Sequence, residues 1–215
     1  MTTFNVETFN IELYDSILLR GLSNGKGDPN GQMCIEAAIC NVLGLPHDDD
    51  PKCVAQSVRS FKISLNDKKW SSPEARAKGL RDLGLAQLGS LDIVSDADFT
   101  TILAKKIIQI LIPKLYRQVF PDNQKLLDLV DICEKEGTKQ SVNNASNAAY
   151  AAYSASNAAY SADYATDAAN YASNAAHSAD YASNAAHDEY LILVANLALE
   201  VLKELNSPGC KLLCI

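Results

Sequence analysis

The 215-residue sequence lacks the features that assign a chain to the membrane or to secretion. No N-terminal stretch combines a basic start, an apolar run and a small-residue cleavage site, as a signal peptide does. The longest apolar runs, ILVANLAL and IIQILIPKLY, fall short of the roughly 20 residues needed to cross a bilayer. We therefore expect a cytoplasmic protein without a membrane partner, whose six cysteines are reduced thiols.

Basic residues are missing from one long stretch and concentrated in another. There is no Lys or Arg in residues 140–202, whereas residues 52–81 hold eight basic and two acidic side chains. Residues 1–51 show the reverse balance, and the net charge is −7. Because general affinity for nucleic acid depends on basic neutralisation of phosphates, this distribution argues against a nucleic-acid partner.

Glycine and proline are absent from residues 138–207, and before that stretch they mark the ends of helical patterns. Apolar residues recur at helical spacing and no segment alternates with period two, so the sequence predicts an all-α protein. We expect a compact head of about six helices in residues 1–137. The predicted boundary residues are C-caps at Gly21, Gly44 and Gly137, starts at Asp50-Pro51, Ser72-Pro73 and Ser95 or Asp96, and a kink or break at Pro113.

Residues 138–215 form the second predicted unit, a long Ala-rich helix that returns to the head and ends in a short tail. Because Ala is the best helix former, one continuous helix over 141–206 is the simplest prediction. Such a helix is about 95 Å long, roughly twice the width of a domain of this size. It therefore projects from the head, pairs with a second copy, or folds back near TDAANYASN.

In the Ala-rich region, a similar sequence recurs after seventeen residues, at 155–171 and 172–188. Seventeen residues over five helical turns is about 3.4 residues per turn, and a period below 3.6 predicts a left-handed supercoil. Tyr lines one side and Ala the nearly opposite side. We predict that the Ala side packs on helices of this chain or of a second copy, the alternative being a solvated face. The Tyr side chains either pack against nearby apolar surface or form a protein-binding surface. The predicted contact residues are Tyr150, Tyr153, Tyr160, Tyr164, Tyr171, Tyr181, Ala155, Ala162 and Ala169.

Cys34 is the strongest catalytic candidate, although the sequence favours a structural role for it. It falls in the predicted first turn of a helix, where the helix dipole lowers a thiol pKa. Gln32 stands two residues before it, a faint resemblance to the Gln and Cys of papain-type hydrolases. Such enzymes also need a base His, usually held on a sheet, and no sheet is predicted. Cys34, Cys40, His47 and Cys53 are weak candidate metal ligands. Their spacing matches no common zinc pattern, so we expect no metal and no cofactor.

A small anionic ligand is the alternative partner. The loop GLSNGKGDPNG (21–31) fails the P-loop pattern, yet its glycines, Lys26 and the following helix N-terminus suit an anion in general terms. The basic stretch 52–81 either pairs with acidic side chains of residues 1–51 or of the C-terminal helix, or lines a pocket for a phosphorylated ligand. The candidate ligand-binding residues are Lys26, Arg59, Lys62, Lys69, Trp70 and Arg76.

The run GQMCIEAAICNVLGLPHDDDPKC, with the sequence that follows it to about residue 90, resembles a group of uncharacterised bacterial and phage proteins. Those proteins carry a similar run, an Ala/Tyr-rich region and a terminus similar to SPGC (207–210). The resemblance implies a bacterial or phage origin, with bacterial defence as one context. It also implies that the head and the Ala-rich helix occur in combination. It implies no activity and assigns no functional residue.

No motif in the sequence discloses a reaction. We therefore predict a non-enzymatic helical interaction protein that self-associates through its Ala/Tyr-rich helix. The alternative is a small-ligand binding protein or thiol enzyme centred on residues 21–40 and 52–81.

Overall fold

The computed structural model describes residues 5–154 and 184–214, with side chains for 5–148 and 188–213. Within these ranges the chain is all-α, with no strand or sheet, which confirms the predicted fold class. Short 3-10 turns lie at Val6–Thr8 and Pro208–Cys214, and a π-helical turn lies at Ile107–Leu111. The α-helices are α1 Ile11–Leu18, α2 Ile35–Val42, α3 Gln56–Asn66, α4 Pro73–Ala86, α5 Asp96–Lys106, α6 Ile112–Val119, α7 Gln124–Glu136, α8 Lys139–Ser154 and α9 Asn184–Glu204.

Most helix boundaries follow local sequence chemistry. The Ser72 hydroxyl accepts a hydrogen bond from the Ala75 amide, and Pro73 occupies the first helical position of α4. Ser95 caps α5 in the same way. At the end of α7, Gly137 adopts the left-handed conformation (φ 61°), and its N–H donates to Cys133. These three predictions from the sequence are confirmed.

The start predicted at Asp50-Pro51 is wrong, because α3 begins only at Gln56. Residues 51–55 form a turn in which Lys52 has a left-handed φ of 58°. Both Lys52 and Arg59 bind the Asp50 carboxylate, so it does not cap a helix. The backbone that follows bonds to the segment after α4, since the Cys53 carbonyl accepts from Leu91 and the Ala55 amide donates to Ser90.

Pro113 neither ends the helix nor sharply breaks it. Helix α5 continues through the π-helical turn directly into α6, and Pro113 lies at the second residue of α6. Proline has no N–H to donate to the carbonyl four residues earlier, and a local widening of the helix accommodates this loss. The Gln109 side chain inside the wide turn donates to the Glu134 carbonyl of α7.

Helix α4 lies at the centre of the core. It packs against α1, α2, α3, α9 and the C-terminal 3-10 turn. Its Leu80 and Leu83 are fully buried, and the Gly209 N–H donates to the Leu88 carbonyl just beyond its end. A side chain at position 209 would collide with the Leu85 carbonyl, so the SPGC turn requires glycine there. In the parts of the chain that the structure covers, no helix is long and apolar enough to cross a membrane.

Candidate functional site

The N-terminal flank of the Ala/Tyr-rich region, helix α8, is fastened to the head. Thr138 and Ser141 cap its start reciprocally, each side-chain oxygen accepting from the backbone N–H of the other. Val142 and Ala145 are buried, and α8 packs along α7. Farther along α8, Ser146 lies close enough to Tyr116 on α6 to oppose the burial that raises the pKa of Tyr116.

The C-terminal flank, helix α9, is held more firmly still. The Asp188 carboxylate accepts from the backbone N–H and the hydroxyl of Ser71, just before α4. The Tyr190 side chain is 3% exposed, its hydroxyl bonds to Gln118, and the Lys114 Nζ lies 5.7 Å from its ring centroid. Large apolar residues of α9 then enter the core: Leu191, Val194, Leu197, Val201 and Leu202.

Both flanks therefore meet the same short helix, α6, through Ser146 on one side and Tyr190 on the other. Helix α6 has eight residues and is about 12 Å long. A single straight helix would separate residues 146 and 190 by about 66 Å at 1.5 Å per residue. Residues 146 and 190 therefore lie closer together than they would in one straight helix, and the prediction for the residues between α8 and α9 falls outside the described part of the chain.

The remaining prediction about this region falls mainly on residues 155–183, outside those that the structure describes. This range contains Tyr160, Tyr164, Tyr171, Tyr181, Ala155, Ala162 and Ala169. Tyr150 and Tyr153 lie on α8, in its part without described side chains. The predicted Tyr and Ala contacts therefore remain predictions.

Cys34 is the N-cap of α2 rather than a residue of its first turn. Its Sγ accepts from the Ala37 N–H at 3.3 Å, and the side chain is buried. Burial raises the pKa of the Cys34 thiol, and hydrogen bonds from the Ala37 and Glu36 amides only partly counter it. The helix-terminus effect expected from the sequence is present but weaker than desolvation, so the arrangement favours a neutral capping thiol over a nucleophile.

Beneath Cys34 lies a fully buried polar cluster that the sequence analysis did not identify. The Lys62 Nζ is 3.2 Å from Glu36 Oε1, and both side chains are 0% exposed. Gln87, also buried, donates to Glu36 Oε2 at 2.8 Å. Burial raises the pKa of Glu36 and lowers that of Lys62, while the attraction between them opposes both shifts. The cluster joins α2, α3 and the end of α4.

The other candidate ligand-binding residues are engaged within the fold. Arg59 pairs with Asp50 at 2.8 Å, and the buried Arg76 donates to the Leu22 carbonyl at 2.6 Å. The Trp70 indole N–H donates to the Leu65 carbonyl. Lys69 is exposed. Four of the eight basic residues in 52–81 pair with acidic residues of 1–51. Lys52 and Arg59 pair with Asp50, Lys62 pairs with Glu36, and Arg81 pairs with Asp15.

The loop 21–31 is folded against α3 rather than loosely connecting two helices. Gly25 N–H donates to Asp67 Oδ1 at 2.9 Å, and Asn66 donates to the Ser23 carbonyl. Lys26 pairs with Asp48 at 2.6 Å. The loop, α2 and α3 enclose a small cleft of about 30 Å³, room for about two water molecules. Of the six candidate ligand-binding residues, Lys26 alone lines this cleft, so the structure does not gather them into one pocket.

The four candidate metal ligands are likewise not brought together. Among the described residues, no group of three His, Cys, Asp or Glu side chains is placed to hold a metal ion. His47 lies with its Nε2 3.3 Å from the Gly27 carbonyl. Burial raises the pKa of the Cys40 thiol to about 12, and it raises that of Cys53 as well. These thiols are protonated packing groups at neutral pH.

Comparison with known proteins gives no relative from which a role could be transferred. No protein-family model matches the chain, and neither the curated proteins nor the solved structures contain a match.

One sequence pattern could have revealed the buried cluster. Glu36 stands alone among apolar residues in CIEAAIC, and Lys62 stands in SFKIS between Phe61 and Ile63. A charged residue on the apolar face of an amphipathic helix is buried and must find a partner. The pattern marks each residue, but their pairing across 26 positions depends on how α2 and α3 pack.

Proposed function

We propose that this protein is a non-enzymatic interaction protein whose helical head presents the Ala/Tyr-rich region for self-association and protein contact. The observation that carries the proposal is the attachment of both flanks beside α6, where α8 packs along α7 with Ser146 near Tyr116, and Tyr190 of α9 bonds to Gln118. A region held at both ends by one element of a well-packed head is positioned relative to that head.

The composition of the region supports the same proposal. It carries no basic residue, and it is built from Ala, Ser, Asn, Tyr, Asp and His. A row of small residues lets another backbone approach closely, whereas Tyr with Asn and Ser provides contact area at low entropic cost. The resemblance to bacterial and phage proteins that combine a similar head and Ala-rich region suggests that context for the function.

The head itself offers little support for the alternative of a ligand-binding protein or thiol enzyme. The cleft beside Cys34 has room for only about two water molecules, and the Cys34 pKa is raised by burial. The basic side chains that would bind an anion are largely paired with carboxylates or bonded to carbonyl groups. The head is therefore better suited to supporting the region than to chemistry.

Multi-angle light scattering on the purified chain tests the proposal. We expect a mass above that of the 23.2 kDa monomer, and a lower mass after Ala155, Ala162 and Ala169 are all replaced by Glu. The matched control adds the same three charges on the Tyr side, through Asn157→Glu, Asn174→Glu and Ser178→Glu, and should retain the higher mass. A monomeric wild type, or an equal loss in the control, would overturn self-association through the Ala side.

A further inference from the structure

A groove on the head surface lies between α4 and α9 and has a volume of about 110 Å³. Its floor is apolar, formed by Leu83, Ala195 and the half-buried Ile192 and Leu199. Lys78 and Asp82, one helical turn apart on α4, are exposed and line the same groove. The exposed Asn196 of α9 also lines it, so the groove has an apolar floor bordered by one cation, one anion and one amide.

The two charged groups are available to an outside partner. Across the described part of the chain, Lys78 makes no ion pair and no side-chain hydrogen bond. Asp82 accepts from Arg81 through Oδ1 at 2.9 Å, and Arg81 is also held by Asp15 in a two-pronged pair. Among the residues that the structure describes, none donates to Oδ2 of Asp82.

This arrangement is complementary to itself. In a two-fold interface, a residue i contacts residue j of the other copy, and j contacts i in return. Side chains four apart on a helix lie about 6 Å from each other, so two α4 helices packed antiparallel would align Lys78 with Asp82 in both directions. The aliphatic stem of each lysine would lie over the apolar floor of the opposite groove while its ammonium reached the carboxylate.

We infer that the α4–α9 groove docks a second copy of this chain, antiparallel across α4, with Lys78 of each copy facing Asp82 of the other. The opposite charges of Lys78 and Asp82 favour a second copy of the chain as the partner. Two copies with a net charge of −7 repel each other in general, whereas a strip bearing one charge of each sign attracts its own rotated image. The surface belongs to the head and is separate from the Ala/Tyr-rich region, so it adds a second contact to the proposed function.

Charge reversal in the full chain tests the pairing. Lys78→Asp leaves two anions on the strip and Asp82→Lys leaves two cations, so each variant alone should repel itself. We expect sedimentation equilibrium to show dissociation constants raised on the order of tenfold or more for each, since two attractive pairs become repulsive. Mixing the two variants should restore wild-type affinity as a 1:1 complex, because each lysine then faces an aspartate. The double variant Lys78→Asp/Asp82→Lys should also restore it.

The controls separate this inference from the proposed function. Lys125→Asp reverses an exposed charge on α7 and should leave association unchanged. Suppose that the wild type associates, and that either both single reversals leave its dissociation constant unchanged or the mixture does not regain wild-type affinity. The groove is then not the contact, and self-association through the Ala side still stands. If the three Ala→Glu changes leave a dimer that the single reversals dissociate, the groove is supported and the Ala-side contact is refuted. A monomeric wild type over the whole concentration range contradicts both.

Discussion

Removing Lys62 from the buried cluster should destabilise the fold far more than removing the whole ion pair. Lys62 and Glu36 are both 0% exposed, and their charged atoms are 3.2 Å apart. In Lys62→Met the Glu36 carboxylate would keep its hydrogen bond from Gln87 but lose its ion-pair partner, leaving only the weaker attraction of Arg59. The unpaired buried charge, rather than the lost attraction, sets the cost.

The expected loss of unfolding free energy for Lys62→Met is about 3–5 kcal/mol, the usual cost of breaking a buried pair. For a chain of 215 residues this corresponds to a fall in Tm of roughly 6–20 °C. In the double variant Glu36→Leu/Lys62→Met no charge remains buried, although Gln87 loses its acceptor. Its stability should therefore lie within about 2 kcal/mol of the wild type and above that of Lys62→Met.

The pH dependence distinguishes the two partners. Burial raises the pKa of Glu36 above its ordinary 4.5. The contribution of Glu36 to the free energy of unfolding is therefore fully present below pH 4.5 and is lost as pH rises through the pKa of the folded state. The deficit of Lys62→Met should thus shrink as pH falls. Burial lowers the pKa of Lys62 below 10.5, so its contribution is present above that value and is lost as pH falls through the folded pKa. The deficit of Glu36→Gln should therefore shrink as pH rises.

Urea unfolding at several pH values measures these differences. Trp70 is the single tryptophan and is buried, so its fluorescence reports the transition, with circular dichroism as the second probe. Subtracting the wild-type curve at each pH removes the groups common to all variants. The reasoning is refuted if Lys62→Met is as stable as the wild type at neutral pH, or if the double variant is no more stable than Lys62→Met.

Two further predictions concern packing and thiol chemistry. Gly79→Ala would place a methyl group 2.5 Å from the Trp70 ring and 3.2 Å from Ile192, so we expect about 1–3 kcal/mol lower stability in urea unfolding and a shifted Trp70 emission; unchanged stability and emission would contradict this packing. Cys34 should be alkylated by iodoacetamide at pH 7 much more slowly in the native chain than in urea, as followed by peptide mass spectrometry, because its thiol is buried and its pKa is raised. Equal rates would restore it as a candidate nucleophile.

Local chemistry made much of the fold predictable from the sequence. Ser72, Pro73 and Gly137 mark helix ends because their own side chains, or the lack of one, satisfy the backbone there. The same reasoning failed at Asp50, whose carboxylate is bound by Lys52 and Arg59, so α3 starts later. A capping residue therefore predicts a helix start only when no other side chain competes for it.

The buried cluster and the position of the flanks depend on contacts that no local pattern contains. Glu36 on α2 and Gln87 at the end of α4 are 51 positions apart in the sequence, and their hydrogen bond exists only because α2 packs on α4. Ser146 and Tyr190 likewise meet α6 through tertiary packing, whereas helix propensity alone favoured one straight helix between them. Propensity predicts the type of an element but not where its two ends lie.

The distance between the two flanks tests the account most directly. Spin labels on non-cysteine artificial residues at the exposed positions 147 and 189, in chains diluted with unlabelled protein, would report it by pulsed electron paramagnetic resonance. Because both flanks contact the roughly 12 Å helix α6, we predict a distance of about 30 Å or less. A distribution centred near the 63 Å of a single straight helix (about 1.5 Å for each of 42 steps) would contradict it.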